Sequence, residues 1–428
     1  MTNKIIKHIK QYAVTYLFIA ISILFVSVSG SDSTFIATQL LMRLSRNAFI
    51  VLALIIPIVA GMGINFAITI GAMAAQIGML LTINWHIQGP LGILVSAAVT
   101  LPLALLFGYL IGKLLNKMKG QETIGSMILG YFANGAYQLL FLFIFGNLIP
   151  LDSNVTIVGA TGVKNTIDLH TEGLYTAIDG IAKIPFLTAI YIIAGALIVG
   201  GLVAFALKKC GKKRMLSLVI VGAVLGVVFL LPPVANIFNG KNSTTGNPIT
   251  VPLVTWGLVA LLCLFNVIIM RTRLGQKFRA VGQNRVVANA SGIDVNRTRI
   301  IAIMISTLLA GWGQIIFMQS EGMGAFQAYA AHEQVGLYAG AAILVGGASI
   351  DRATNKQALL GTLLFHLVFI TAQDAASTLF GDTVIGEYFR AFMSYGVIAV
   401  ALVIYAWRGV AKKKPEDLMR EAAERSAK

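Results

Sequence analysis

The stretch Gly275–Ile293 reads GQKFRAVGQNRVVANASGI and lies between two apolar runs, each long enough to cross a bilayer. It is basic and punctuated by glycines, whereas an ordinary cytoplasmic loop carries scattered lysines without internal pattern. One side of the predicted helix is apolar: Phe278, Val281, Val286, Val287 and Ala290. The pattern predicts a short, independently folded helix that docks on a protein partner inside the cell. A helix that lies flat on the bilayer surface is the competing interpretation.

The glycines of this stretch suit such a docking element. Gly275 permits the chain to turn away from the membrane normal after the preceding apolar run. Gly282 has no side chain, so the backbone of a partner can approach it closely. Ser291 and Gly292 are expected to end the element, which would transmit force from a soluble subunit to the membrane helices.

The composition of the chain is that of a membrane protein. Of its 428 residues, 57% are hydrophobic and only 12% are charged, about half the charged fraction of a soluble protein. The net charge of +16 is better explained by Lys and Arg in cytoplasmic loops than by nucleic-acid binding. The two cysteines fall at the end of one apolar run and inside another, which is typical of neither a disulfide framework nor a metal site.

The apolar runs predict an all-α, polytopic membrane protein of about 10–12 transmembrane helices with broken or re-entrant segments. The candidate spans are Gln11–Ser29, Ala48–Thr82, Leu91–Gly112, Ile124–Leu148, Phe186–Leu207, Met215–Leu231, Pro252–Met270, Ile300–Met318, Gly336–Ala348, Ala358–Ala372 and Phe389–Ala406. The run Ala48–Thr82 is too long for one helix across a ~30 Å core and contains Pro57 and several glycines, so it counts as two passes. The glycine-rich segment Gly336–Ser349 is too short for a plain lipid-facing helix, and such paired interruptions are typical of internally repeated transporters.

The distribution of charge predicts the orientation. Basic residues cluster at the N-terminus, in the loop 271–299 and in the tail, which places both termini in the cytoplasm. Residues 1–428 then form a single transmembrane permease domain with an extracytoplasmic polar segment at 149–185, a cytoplasmic loop at 271–299 and a cytoplasmic tail at 409–428. Arg43 and Arg46 conflict with this scheme, because they fall on the outer side.

The loop resembles a known family. Its pattern G-x-x-F-R-A-x-G-x-N, then A-x-x-S-G-I-x-V, is similar to the cytoplasmic loop of ABC importer permeases of the simple-sugar, nucleoside and branched-chain amino-acid group, such as ribose permeases. The matching positions are Gly275, Phe278, Arg279, Ala280, Gly282, Asn284, Ala288, Ser291, Gly292, Ile293 and Val295. The later LVGGAS at Leu344–Ser349 is similar to a glycine-rich stretch of that family, and the run around Gly61–Gly78 resembles its broken early helix.

The resemblance implies a division of labour among subunits. Such permeases lie in the bacterial plasma membrane, work as a pair of like or unlike chains, receive substrate from an external binding protein and are driven by a cytoplasmic ATP-binding subunit. ATP and Mg²⁺ would bind that partner, and this chain would bind no cofactor and catalyse no reaction. Consistently, the sequence lacks G-x-x-x-x-G-K-[ST], and the nearest string, GKNST at Gly240–Thr244, has the wrong spacing.

Amide side chains in or beside the spans are candidates for the wall of a translocation path, since a sugar or nucleoside offers hydroxyls to them. These residues are Asn65, Gln76, Asn134, Gln138 and Gln314. Each is also explained by a hydrogen bond between helices. His332 and Glu333, together with Phe326, are expected in a solvated outer loop, and His366 is expected to be packed in the interior.

Two other functions compete with an importer subunit. A secondary transporter driven by an ion gradient would place carboxylates or histidines inside the spans, where this chain has almost none. A membrane-embedded enzyme would need clustered His, Asp or Glu at depth, and the sequence has no such cluster. The substrate is left open between simple sugars, nucleosides and related vitamins such as riboflavin, with simple sugars slightly favoured.

Overall fold

The computed structural model describes residues 12–118, 120–145, 148–151, 158–159, 162–163, 166–207, 211–240, 247–327, 331–349 and 352–411. The helices are α1 Ala13–Val28, α2 Ser33–Ala53, α3 Ile55–Val59, α4 Ile68–Asn84, α5 Gly89–Lys117, α6 Glu122–Ile144, α7 Phe186–Ala206, α8 Lys212–Leu230, α9 Pro232–Phe238, α10 Leu253–Ile269, α11 Arg273–Gln283, α12 Arg285–Ala290, α13 Val295–Gln319, α14 Val335–Val345, α15 Asn355–Phe380 and α16 Thr383–Ala411. The strands are β1 Val158–Gly159, β2 Gly162–Val163, β3 Thr166–Asp168, β4 Lys183–Pro185, β5 Thr250–Pro252 and β6 Ala325–Gln327. They form three antiparallel pairs, β1 with β2, β3 with β6 and β4 with β5.

The prediction of an all-α, polytopic membrane protein is confirmed. Among the described residues, six helices are long and apolar enough to cross a membrane, and a seventh span results if α10 and α11 are counted together. Three shorter apolar helices, α1, α4 and α14, accompany them. The predicted total of about 10–12 includes these shorter helices and stays a prediction. The tail beyond residue 411 lies outside the described residues.

The second span begins earlier than predicted. Helix α2 starts at Ser33, so residues 33–47 belong to a helix and not to a loop before Ala48. Arg43 and Arg46 therefore lie within the bundle, and Arg46 is only 7% exposed. The predicted start at Ala48 was wrong because Arg43 and Arg46 were assigned to the outer side, before the span. In the structure the two guanidinium groups lie over the rings of Phe369 and Phe317, which favours their burial.

The long early run is broken, as predicted. Helix α3 ends at Val59, the chain runs through residues 60–67, and α4 begins at Ile68. Gly61 and Gly63 have φ values of +71° and +67°, which residues with a Cβ rarely adopt. Almost all of α4 is buried, so the freed backbone groups at the break face protein rather than lipid.

Helices α4, α5 and α13 pack closely at the centre of the molecule. A Cβ added at Gly71 would lie 2.2 Å from the carbonyl oxygen of Thr307, and one at Gly108 would lie 2.7 Å from Cα of Met304. Only glycine permits these backbone distances, because a methyl group would overlap both neighbours. The polar groups carried by these helices are therefore held in fixed positions inside the bundle.

The LVGGAS segment is a second close contact. A Cβ added at Gly346 would lie 1.8 Å from the carbonyl oxygen of Gln357, and one at Gly361 would lie 1.8 Å from that of Ala342. The short helix α14 is thus locked against the start of α15. The prediction that this segment is no ordinary lipid-facing helix agrees with its 11-residue length and its burial.

Helices α7 and α8 form a peripheral hairpin. They pack mainly against each other, and most of their side chains are exposed, as lipid-facing residues would be. The strand pair β4–β5 joins the base of this hairpin to the rest of the molecule, with Lys183 opposite Pro252 and Pro185 opposite Thr250.

Candidate functional site

The basic loop, Arg271–Arg299, begins with a sharp turn. The axis of α11 is bent by 75° from that of α10. A Cβ at Gly275 would lie 2.1 Å from the carbonyl oxygen of Ile269, so the turn requires glycine. The backbone N–H of Gly275 donates to the Thr272 hydroxyl at 3.3 Å, and the Arg279 guanidinium donates to the carbonyl of Met270. These contacts hold α11 across the end of the bundle.

The loop contains two helices where the sequence predicted one. Asn284 has an extended backbone with φ −157°, and its side-chain oxygen accepts hydrogen bonds from Val286 N at 3.0 Å and Val287 N at 3.1 Å. Such a cap starts a new helix and competes with continuation of the old one. Asn284 therefore ends α11 and begins α12.

The break separates the predicted apolar side into two groups. Phe278 and Val281 on α11 are buried against the bundle. By contrast, Val286 is 79% exposed and Val287 is 59% exposed on α12. The interpretation of one continuous apolar side was wrong, because the cap at Asn284 reorients the residues that follow it. The inward group anchors the loop, and the outward group is free to contact another molecule.

Gly282 makes its close backbone contact within this chain. A Cβ added there would lie 2.1 Å from the carbonyl oxygen of Val59 and 3.1 Å from the backbone nitrogen of Gly61. The approach that the sequence assigned to a partner's backbone is thus made by the end of α3. The loop is seated on the broken early helix rather than folded independently.

A buried carboxylate also holds the basic loop in place, in addition to the turn at Gly275 and the contact of Gly282 with α3. Glu122, at the start of α6, is 5% exposed and contacts Arg285 at 2.8 Å and also Arg299. Arg285 donates to the carbonyl of Gly61 at 2.9 Å. Glu122 was not among the residues singled out from the sequence. The available signal was one acidic residue at the start of a span in a protein whose basic loop needs counter-charge.

The remaining predicted loop residues have local roles. Ala280 is half-buried and Ala288 is buried. The Ser291 hydroxyl donates to the carbonyl of Val287 at 2.9 Å, and Gly292 has φ +78° at the end of α12. Asp294 then caps α13 by accepting from Arg297 N at 2.9 Å.

Three of the five predicted path residues meet one segment, residues 331–333, which precedes α14. The Gln76 side-chain oxygen lies 2.8 Å from Nδ1 of His332. Gln138 Nε2 donates to Glu333 Oε1 at 2.8 Å. Gln314 Nε2 lies 3.4 Å from the carbonyl oxygen of Ala331. The structure therefore gathers side chains from α4, α6 and α13 around this segment.

The expectation of a solvated loop was wrong for His332, which is fully buried. The segment after α13 folds back into the bundle, and its histidine reaches the middle of α4. Phe326 lies in β6, opposite Ile167 of β3. His366 is buried at 4% exposure, as expected, with its ring 5.3 Å from that of Phe365.

Asn65 lies apart from this cluster, whereas Asn134 adjoins it at Glu333. The Asn65 side-chain oxygen accepts from Ala67 N at 3.1 Å and shapes the break before α4. Its side-chain nitrogen has no hydrogen-bond partner among the described residues. Asn134 lines a narrow cleft together with Thr69 and Glu333.

A cavity of about 210 Å³ adjoins the 331–333 segment. It lies between α2, the end of α13, residues 331–339 and α15. Its polar lining includes Asn47, Glu333 and His366, and Phe317 and Tyr338 supply aromatic walls. A small solute with several polar groups fits such a lining.

Comparison with known proteins bears on both the basic loop and the cavity. Residues 36–405 match the family described as branched-chain amino acid transport system, permease component. The chain belongs to this family. The matched range of the permease includes the basic loop, Glu122 and the segment that lines the cavity.

Individual relatives of the permease are permease proteins by name, and two of the three described here are import permeases. It is 34% identical over 125 residues to the autoinducer 2 import system permease protein LsrC of Klebsiella pneumoniae, covering 29% of this chain and 35% of that protein. It is 29% identical over 161 residues to the ribose import permease protein RbsC of Escherichia coli, covering 37% and 47%. It is 26% identical over 147 residues to the nucleoside ABC transporter permease protein NupB of Lactococcus lactis, covering 34% and 35%. The permease thus spans less than half the length of each, and no solved structure matches it.

Proposed function

We propose that this chain is the transmembrane permease subunit of an ABC importer that passes a simple sugar or nucleoside into the cytoplasm. The observation that carries the proposal is the two-sided basic loop. Helix α11 inserts Phe278 and Val281 into the bundle, while α12 presents Val286 and Val287 outward. An element fastened on one side and exposed on the other can transmit movement between two proteins.

The partners follow from this role. A cytoplasmic ATP-binding subunit binds ATP and Mg²⁺ and contacts α12. A second permease subunit completes the membrane pair, and an external binding protein delivers the solute. The importer lies in a bacterial plasma membrane with both termini of this chain in the cytoplasm, as the basic loop and tail favour. The permease names of the relatives support this assembly.

The solute path runs along α4, α6 and α13 past the 331–333 segment. Gln76, Gln138 and Gln314 lie on it and offer both donors and acceptors, which suits a molecule rich in hydroxyls. The relatives include a ribose import permease and a nucleoside ABC transporter permease, and they favour an importer over a transporter driven by an ion gradient.

The proposal is tested on the exposed pair of α12. We expect the double substitution Val286→Ser with Val287→Ser to weaken co-purification with the ATP-binding subunit and to remove stimulation of its ATP hydrolysis. Burying two valines contributes roughly 3 kcal/mol or more, so affinity should fall at least about 100-fold. Serine and valine have similar helix propensities, so α12 itself should persist.

Asn289→Ser provides the matched control, because Asn289 is an exposed polar residue on the same helix. It should leave co-purification and hydrolysis unchanged. If the double valine variant binds and stimulates the ATP-binding subunit like the unaltered chain, α12 is not the docking element. Uptake by the isolated chain under a sodium or proton gradient would instead support secondary transport.

A further inference from the structure

Two arginines of α2 flank the cavity. Asn47, Ile50 and Val51 line it, and Arg43 and Arg46 lie about one turn earlier on the same helix face. The guanidinium carbon of Arg46 lies 5.4 Å from the ring centre of Phe317, which itself lines the cavity. A Cβ added at Gly322 would be 3.8 Å from Nη1 of Arg46, which places this guanidinium beside Gly322, the residue before Met323 of the cavity lining.

A third guanidinium adds to the positive charge at this place. Arg43 and Arg390 lie over the ring of Phe369, at 4.9 Å and 5.3 Å from its centre. Arg390 also donates to the Gln373 side-chain oxygen at 2.6 Å. Three guanidinium groups thus lie over two phenylalanine rings: Arg46 over Phe317, which lines the cavity, and Arg43 with Arg390 over Phe369. Mutual repulsion between the neighbouring charges of Arg43 and Arg46 is costly unless an anion approaches them.

Within the described part of the chain, neither Arg43 nor Arg46 forms an ion pair with a carboxylate. The Nε atoms of both are buried and lack a hydrogen-bond partner among those residues. The carboxylate of Glu333 lines the same cavity and accepts a hydrogen bond from Gln138, and it forms no ion pair with either arginine.

His366 brings a further polar atom without a hydrogen-bond partner into the cavity lining. It is 4% exposed, it lines the cavity, and its Nδ1 has no hydrogen-bond partner among the described residues. A buried polar atom without a partner costs free energy, which a bound ligand can recover. The arginines supply charge and His366 supplies a hydrogen-bonding atom on the same side.

We infer that the transported solute carries an anionic group, a phosphate or a carboxylate, which binds in this cavity against His366, with the guanidinium groups of Arg46 and Arg43 beside the cavity supplying the positive charge. The inference rests on the proposed transport function and specifies its substrate: an acidic derivative of a sugar or nucleoside rather than a neutral one. Glu333 and Asn47, which line the same cavity, would face the hydroxyl-bearing part. The cavity volume of about 210 Å³ suits a small solute.

The test uses ligand pairs that differ in charge: ribose with ribose 5-phosphate, and glucose with gluconate. Each is added to the purified full-length chain in lipid nanodiscs at equal ionic strength, so that screening is the same. We expect at least one acidic ligand to raise the unfolding midpoint by several degrees at concentrations where its neutral counterpart has no effect. An equal rise with the neutral sugar, or no rise with either acid up to about 50 mM, would overturn the inference.

Variants locate the bound anion. Arg46→Gln should raise the concentration needed for half of the shift by about tenfold or more, because a charge-assisted hydrogen bond is lost. Arg214→Gln is the matched control, since Arg214 is exposed on α8 away from the cavity, and it should keep the full shift. Full shifts in both Arg43→Gln and Arg46→Gln would mean that the anion binds elsewhere, and the inference would fail. If a variant does not fold, the ligand pairs on the unaltered chain still decide the question.

The outcome of this ligand-binding experiment is independent of the outcome of the α12 docking experiment. Loss of the ligand shift leaves co-purification with the ATP-binding subunit untouched, and would reject only the acidic substrate. Failure of the α12 valine experiment would reject the ABC role, and the charge preference of the cavity would still stand as measured.

Discussion

Gly282→Trp is expected to abolish coupling between the permease and its ATP-binding partner while the protein still inserts into the membrane. Even a single Cβ at this position would lie 2.1 Å from the carbonyl oxygen of Val59. An indole cannot be accommodated, so α11 must lift from α3 and carry α12 with it. The measurement is ATP hydrolysis by the reconstituted complex, which should fall to the rate of the isolated ATP-binding subunit.

A graded series makes this prediction sharper. Gly282→Ala introduces an overlap that typically costs about 1–3 kcal/mol, so partial activity is expected. Gly211→Trp is the matched control, because a Cβ added at Gly211 meets nothing within 4 Å. Its membrane content and hydrolysis should equal those of the unaltered protein. Normal hydrolysis in Gly282→Trp would show that the seating of α11 on α3 has no part in coupling.

Glu122→Ala is expected to produce the largest loss of stability of any single substitution considered. It leaves Arg299, which is 1% exposed, without its carboxylate partner, and Arg285 loses the same contact. Removing one member of a buried ion pair typically destabilises by about 3–5 kcal/mol. The unfolding midpoint of the full chain in nanodiscs should fall markedly, and co-purification with the ATP-binding subunit should fall with it because the loop loses its fastening.

The ion pair of Glu321 with Lys183 supplies the control. Its N–O distance is 3.0 Å, but both side chains are substantially exposed, so Glu321→Ala should cost about 1 kcal/mol or less. Equal midpoints for Glu122→Ala and Glu321→Ala would contradict the role assigned to Glu122. Glu122→Gln, which keeps a hydrogen-bond acceptor and removes the charge, should fall between the two.

The parts of the fold that depend on local composition could be predicted from the sequence. Apolar runs predict helices because a segment in lipid must form all of its backbone hydrogen bonds internally. The glycines and Pro57 indicate that the early run is broken. The turn at Gly275 and the presence of a helix after it also follow from local residue types. The division at Asn284 was missed, although asparagine is a common helix cap.

The parts that depend on distant contacts could not be predicted from one sequence. Glu122 and Arg299 are 177 positions apart, and nothing local to either pairs them. The burial of Arg43 and Arg46 requires phenylalanines from α13 and α15, while charge counting places arginines in loops. His332 was assigned to solvent because the return of its segment toward α4 depends on the whole bundle.

The strand pair at the base of the α7–α8 hairpin has an architectural consequence. The chain departs at Lys183 and comes back at Pro252, and these two residues lie opposite each other. The two ends of the stretch between them therefore lie side by side, so one tight turn could join them. A shortened permease built in this way would retain both the seat of the basic loop and the arginine-flanked cavity.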